Sequence, residues 1–242
     1  MSDVAMVTGA ATGIGAATVR MLAQQGIRVA VCDVNAAIGR QVADEIDGIF
    51  LQCDVRDFAS VVAARDACID RLGTPTRVHL NAGIMTVPTD DAFLAIEDVS
   101  LEAYQRIVGV NLDGVFHGVK ALLPVMRDAG GAITVTASIA AFGQLPVDPL
   151  YSATKHALIG FVRSIAAANA EANVRLNAIC PGVVDTPIVP GAFRTADGMM
   201  APEELAVEVL DLLQNGRNGE VRAKVTGRPA FEVPAIDINS LP

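Results

Sequence analysis

Two hydrophobic patterns alternate along the chain. Short, nearly continuous apolar runs fall at residues 4–8, 27–32, 49–53, 77–80, 132–137, 174–180 and 220–226. Between them lie stretches whose apolar positions recur three and four apart, which predicts helices from the first glycines to about residue 25 and over 36–46, 58–72, 101–127, 151–171 and from Pro202 to about 213. Continuous rather than alternating apolar runs suit strands covered on both faces, as in a parallel sheet. Repeated strand–helix units with right-handed crossovers then give a Rossmann-like, doubly wound α/β sheet. Nothing between the units resembles a linker, so residues 1–242 are expected to form a single domain. In this architecture ligands bind beyond the carboxyl ends of the strands, where Gly9, Asp33, Asp54, Asn81, Ser138 and Pro181 all fall.

Composition narrows the function. A net charge of -9 and a pI near 4.7 argue against a nucleic-acid or anionic-membrane partner, which needs a basic face. No apolar stretch reaches the ~18 residues that span a bilayer. The first strand begins at residue 4 with no basic or apolar leader before it, so a cytoplasmic protein is expected. Cys32, Cys53, Cys68 and Cys180 form no Cys-x-x-Cys pair and read as core thiols of a reducing compartment. His79, His117 and His156 are too scattered for a metal site, and none is expected; His79, inside a strand, reads as a core residue.

The turn between the first strand and first helix carries Gly9, Gly13 and Gly15. Glycines let the backbone approach a pyrophosphate, and the following helix offers unpaired N–H groups and a positive dipole end. Asp33 ends the second strand 20 residues after Gly13, the separation at which a carboxylate accepts hydrogen bonds from an adenosine ribose. A carboxylate there repels a 2′-phosphate, and Thr12, Val34 and Asn35 supply no compensating cation, so NAD is expected over NADP. Asp54, at the end of the third strand, is a candidate for the adenine amino group.

Tyr151 and Lys155 stand four residues apart, on one face of a helix. A phenol with a pKa of about 10 is a poor base at neutral pH, and a neighbouring ammonium is expected to lower that value. Ser138, 13 residues before Tyr151, ends the preceding strand and can turn its hydroxyl to the same cleft.

Together these motifs resemble the short-chain dehydrogenase/reductase family from Val4 to about Thr226. The resemblance rests on the 8–15 turn, Asp54-Val55, Asn81-Ala82-Gly83, Asn111 in Val-Asn-Leu, Ser138, Tyr151-x3-Lys155, and Pro181-Gly182 with Thr186. It implies a catalytic set of Asn111, Ser138, Tyr151 and Lys155. Tyr151 would be the acid/base, Ser138 the partner of the substrate oxygen, Lys155 the ligand of the nicotinamide ribose, and Asn111 the holder of a water leading to Lys155. Gly9, Thr12, Gly13, Ile14, Gly15, Asp33, Asp54, Val55, Asn81, Ala82, Gly83, Tyr151, Lys155, Pro181, Gly182, Val184 and Thr186 would contact the cofactor. Two features depart from the family. Leu80 replaces an Asn before Asn81, and residues 225–233 lack the usual Asp-Gly-Gly ending.

By family position the substrate meets Ser138, Ala140, Gln144, Leu145 and Tyr151. Further wall candidates are Ile84, Met85, Ile139, Val147, Val183 and Ile188, under a lid at about 186–201 that includes Phe193, Met199 and Met200. Nearly all are apolar, with Arg194 the one cation, which points to a hydrophobic secondary alcohol or its ketone. A 3-oxoacyl thioester reductase and a catalytically silent NAD-binding redox sensor are the alternatives. The helices over 101–127 and 151–171 carry more apolar and small residues than a surface helix needs, as in the family's homodimers and homotetramers.

Overall fold

The computed structural model describes residues 3–194 and 198–237. Seven parallel strands and one antiparallel strand form a single sheet in the order β3-β2-β1-β4-β5-β6-β7-β8. The parallel strands are β1 (Val4–Thr8), β2 (Arg28–Asp33), β3 (Ile49–Gln52), β4 (Arg77–Leu80), β5 (Gly131–Thr136), β6 (Val174–Pro181) and β7 (Val221–Lys224). The chain moves outward from β1 to β3, then returns to β4 on the other side of β1. That reversal opens the crevice expected of a doubly wound sheet.

Successive side chains of a strand face opposite sides, and each side finds its own helices. Val4 and Met6 of β1 join one apolar core, packed under α3 (Phe58–Leu72), α5 (Gly114–Met126) and α6 (Pro149–Ala168). Ala5 and Val7 join a second core with α1 (Gly13–Gln24), α2 (Ala36–Glu45) and α7 (Pro202–Asn215). Leu122 and Met126 are fully buried at the centre of the first, each contributing about 1.5–3 kcal/mol by burial. Close packing explains Leu80. A Cβ on Gly118 of α5 would stand 2.6 Å from Leu80 Cδ2, so the leucine fills the floor between β4 and α5.

The single helix expected over 101–127 is three segments. α4 (Leu101–Val108) runs into a π-helical turn, Gly109–Asp113, before α5 begins. Apolar periodicity continues through the turn, so the pattern alone does not register the extra residue per turn. Such bulges re-aim side chains, and this one directs Asn111. α6 begins at Pro149, two residues earlier than expected. Asp148 caps it by accepting from the Tyr151 N–H at 3.0 Å, and proline suits the first helical position. The two-residue β8 (Phe231–Glu232) pairs antiparallel with β7 and was too short to be read from the sequence.

Candidate active site

A cavity of about 560 Å³ lies beyond the carboxyl ends of the strands. The glycine turn forms one end. Gly13 adopts a φ of 54°, a left-handed conformation that side chains disfavour, and a Cβ there would come within 2.8 Å of Thr186 Cγ2. The turn thus closes on the segment after β6 with no room for a side chain. Thr12, Gly13 and Ile14, at the start of α1, line the cavity, and the helix start carries no side-chain cap. Its N–H groups are the donors a pyrophosphate would take. Gly15 is not in the wall; it packs behind Gly9 and Asn81.

Asp33 lines the same end, and both its oxygens already hold backbone donors. Oδ2 accepts from Ala11 N–H at 2.9 Å and Oδ1 from Asn35 N–H at 2.8 Å. Each oxygen keeps a lone pair for a ribose hydroxyl. Asp54 and Val55 line the wall too, but Asp54 is not a free acceptor. Arg56 grips it bidentately, with Nη2–Oδ2 at 2.6 Å and Nε–Oδ1 at 3.0 Å, and this bond holds the carboxyl below its usual range. Asn81, Ala82 and Gly83 also line the cavity. The Asn81 amide is committed inward, donating to Gly9 O at 3.1 Å and accepting from the Thr136 hydroxyl at 3.1 Å. Pro181, Gly182, Val184 and Thr186 complete this wall.

Ser138, Tyr151 and Lys155 meet in the middle of the cavity. Ser138 extends from the end of β5, its hydroxyl accepting from Ala140 N–H at 3.1 Å. Lys155, 2 % exposed, donates to Thr136 O at 2.8 Å, and its Nζ stands 5.5 Å from the centroid of the Tyr151 ring. Burial dominates both titrations. It pushes the Tyr151 phenol up to about 12 against the opposing pull of the Ser138 hydroxyl, and it brings Lys155 down to about 8. The net shift of the phenol is therefore upward, opposite to the expected lowering, because loss of water around the ring dominates and the opposing pull comes from Ser138. Asn111 does not reach the cavity wall. The π turn aims its amide at Ile84, donating to its carbonyl at 2.9 Å and accepting from its N–H at 2.8 Å. A Cβ on Gly83 would lie 3.4 Å from Lys155 Nζ and 3.5 Å from Asn111 Oδ1, so this glycine sits between those two groups.

The end of the cavity where substrate is expected is walled by Ile84, Met85, Ile139, Ala140, Leu145, Val183, Ile188 and Phe193. Gln144 and Val147 do not contribute. Both are exposed on the turn before α6, and only Leu145 between them faces inward. Met200 is not a lid residue either: it is 1 % exposed and bridged to Val184, while Met199 lies outside the wall. Within the expected lid, residues 195–197 lie outside the described residues. The remainder is fastened across the cleft, with the Thr89 hydroxyl donating to Pro187 O at 2.6 Å and Phe193 tilted against Phe93 at 5.6 Å. The expected cation differs as well. Arg194 points away to Asp185 at 2.9 Å, whereas Arg56 and Arg106 line the cavity. Their positions depend on side-chain direction from a loop and a helix, which spacing does not encode. Thr136 was also missed; a hydroxyl within an apolar strand was its only signal.

No helix among the described residues is long and apolar enough to cross a membrane, and no cluster of metal-ligand type occurs among them.

A sequence profile described as short chain dehydrogenase matches residues 3–197. The trans-4-hydroxycyclohexanecarboxylate dehydrogenase of Sinomonas cyclohexanicum is 33% identical over 202 residues, covering 79% of this chain and 76% of that protein. The 3-alpha-(or 20-beta)-hydroxysteroid dehydrogenase of Mycobacterium bovis is 33% identical, covering 100% of this chain and 96% of that protein. Among solved structures, a 3-ketoacyl-(acyl-carrier-protein) reductase from Brucella melitensis complexed with NADH superposes with a TM-score of 0.85 at 28% identity, covering 93% of this chain and 98% of that one. The chain belongs to the short-chain dehydrogenase family, as an oxidoreductase that acts on CH–OH groups with a nicotinamide cofactor.

Proposed function

We propose that the protein is an NAD-dependent dehydrogenase that interconverts a hydrophobic secondary alcohol and its ketone, with Tyr151 as general acid/base. The observation that carries this reading is one continuous cavity. It joins Asp33 and the glycine turn to Tyr151, Lys155 and Ser138, and these to an apolar wall. A bound nicotinamide supplies the hydride acceptor. The protein's part is to orient the alcohol and move its proton. Ser138 hydrogen-bonds the substrate oxygen, and Tyr151 Oη takes the hydroxyl proton as the carbonyl forms. In reduction the phenol returns that proton. The Lys155 ammonium favours the phenolate and offers a donor to a ribose hydroxyl. Asn111 fixes the Ile84 backbone beside this group. Relatives named for a cyclohexane ring alcohol and for hydroxysteroids support a hydrophobic alicyclic substrate.

The test is NADH formation across a panel of secondary alcohols, beginning with cyclohexanol. Tyr151→Phe should lower kcat/KM by about 10²–10⁴-fold while NADH binding, read by its own fluorescence, stays intact. Turnover retained in Tyr151→Phe refutes the mechanism. The likeness to the Brucella reductase favours a second reading, reduction of 3-oxoacyl thioesters; a higher kcat/KM on an acetoacetyl thioester than on any panel ketone would establish it.

A further inference from the structure

One enclosed carboxylate near the cleft takes no part in the mechanism above. Asp148 is 1 % exposed and precedes Pro149 at the start of α6. Its Oδ1 accepts from the Tyr151 N–H at 3.0 Å and from the Thr86 hydroxyl at 2.5 Å, while Oδ2 accepts from the Thr86 N–H at 2.9 Å. Capping the helix requires only the first of these bonds, which Ser or Asn would make without a buried charge. A buried carboxylate is costly unless its lone pairs are matched by donors, and here Thr86 provides two of the three.

Thr86 is 62 residues away in sequence and itself 4 % exposed. It directly follows Ile84 and Met85, which wall the substrate end of the cavity. From its other side the Thr86 carbonyl accepts from Arg106 Nη2 of α4 at 2.7 Å. Arg106, Thr86, Asp148 and the first turn of α6 therefore form one hydrogen-bonded chain. At one end it holds the pocket wall, and at the other the turn that carries Tyr151.

We propose that Asp148 and Thr86 are positioning residues: a clamp that fixes the Tyr151 phenol against the pocket wall built by Ile84 and Met85. This rests on the reading of Tyr151 as the acid/base group. The clamp also places a negative charge beside the phenol. The other groups around Tyr151 are Lys155 on the same helix, Ser138 at the end of β5 and the buried Cys180 thiol of β6, with Arg106 joined to Asp148 through Thr86. After burial, and against the pull of Ser138, Asp148 adds to the upward push on the phenol. Asparagine at this position removes the charge and, with its oxygen kept on the Tyr151 N–H and the Thr86 hydroxyl, turns an amide donor toward the Thr86 N–H, so the clamp opens.

The chain has two tyrosines and no tryptophan. In a Tyr104→Phe background, ultraviolet difference absorbance of tyrosinate therefore reports Tyr151 alone, measured on the full chain with saturating NAD⁺. Asp148→Asn should lower the Tyr151 midpoint by about half a pH unit or more. Thr86→Val, which keeps the N–H and loses the hydroxyl, should lower kcat about tenfold on the best panel alcohol, with NADH affinity unchanged. Thr86→Ser should restore kcat. A residue serving stability alone would move the melting temperature and leave the midpoint and kcat in place. An unchanged or raised midpoint in Asp148→Asn, or equal kcat in Thr86→Val and Thr86→Ser, overturns the clamp. If Asp148→Asn does not fold, the Thr86 pair decides. Failure of the acid/base reading is seen separately, as turnover retained in Tyr151→Phe.

Discussion

Lys155→Met removes one charge beside the Tyr151 phenol and keeps nearly the same volume. Lys155 is buried, with its Nζ 5.5 Å from the ring centroid. For a charge separation of about 5–6 Å and an effective dielectric of about 20, an ammonium would favour the phenolate by about 3 kcal/mol, equivalent to about two pH units. The pH profile for alcohol oxidation should therefore move upward in the variant, with kcat/KM at pH 6–7 about 100-fold below that of the parent. The sign reverses nowhere, but the size must change with pH. Burial lowers Lys155 to about 8, so the parent itself loses the ammonium as pH rises through that value. The ratio of parent to variant should fall from about 100 toward about 1 above pH 9. Initial rates of NADH formation from pH 6 to 10, at saturating NAD and with cofactor affinity measured separately, give this ratio directly. A ratio that stays constant with pH, or one below about threefold at pH 6, refutes an electrostatic role for Lys155 on Tyr151.

Two further outcomes follow from other parts of the fold. The parent should prefer NAD to NADP by about tenfold or more, and Asp33→Ser should move that preference at least about tenfold toward NADP, because it removes the carboxylate that repels a 2′-phosphate; a parent that prefers NADP in side-by-side assays refutes this. His79 is buried neutral, held down to about 3 by burial, while the unfolded chain protonates it near 6.5. Its contribution to stability is therefore complete above about 6.5 and is lost as pH falls toward 3, at about 1.4 kcal/mol per pH unit. Urea unfolding at pH 7 and pH 5 should differ by about 2 kcal/mol less in His79→Leu than in the parent, and an unchanged difference shows that His79 is not the group responsible.

The sheet was legible because strands buried on both faces must be apolar at every position. The glycine turn was legible because a tight turn needs glycine wherever it lies. Tyr151 and Lys155 were legible because helix geometry converts four residues of spacing into one face. Each failure has a cause outside these regularities. Asn111 was expected as the holder of a water leading to Lys155, and its bonds to the Ile84 backbone were not foreseen, since one π turn rotates its side chain without disturbing the apolar pattern around it. Asp54 was a candidate for the adenine amino group, and the arginine two residues on that reaches back to it was not foreseen. Gln144 and Leu145 are neighbours in sequence, and the turn they share exposes one and buries the other. Side-chain direction in loops is set by the particular contacts each side chain makes, and spacing carries no record of it.

The least legible part is also what joins the two ends of the cleft. The Thr136 hydroxyl donates to Asn81 Oδ1 and lies 2.7 Å from His79 Nε2. A hydroxyl has one proton, so Nε2 must be the donor to Thr136, and His79 is the neutral Nε2–H tautomer with Nδ1 bare. Asn81 then passes the order on by donating to Gly9 O, and Lys155 donates to the carbonyl of the same Thr136. One threonine thus ties the glycine turn and the ammonium to a common strand. Protonating His79 would add a buried charge at Nδ1, where no partner exists among the described residues. Burial of that histidine therefore serves the site as well as the core, because it keeps the donors of the network pointing one way across the working pH range.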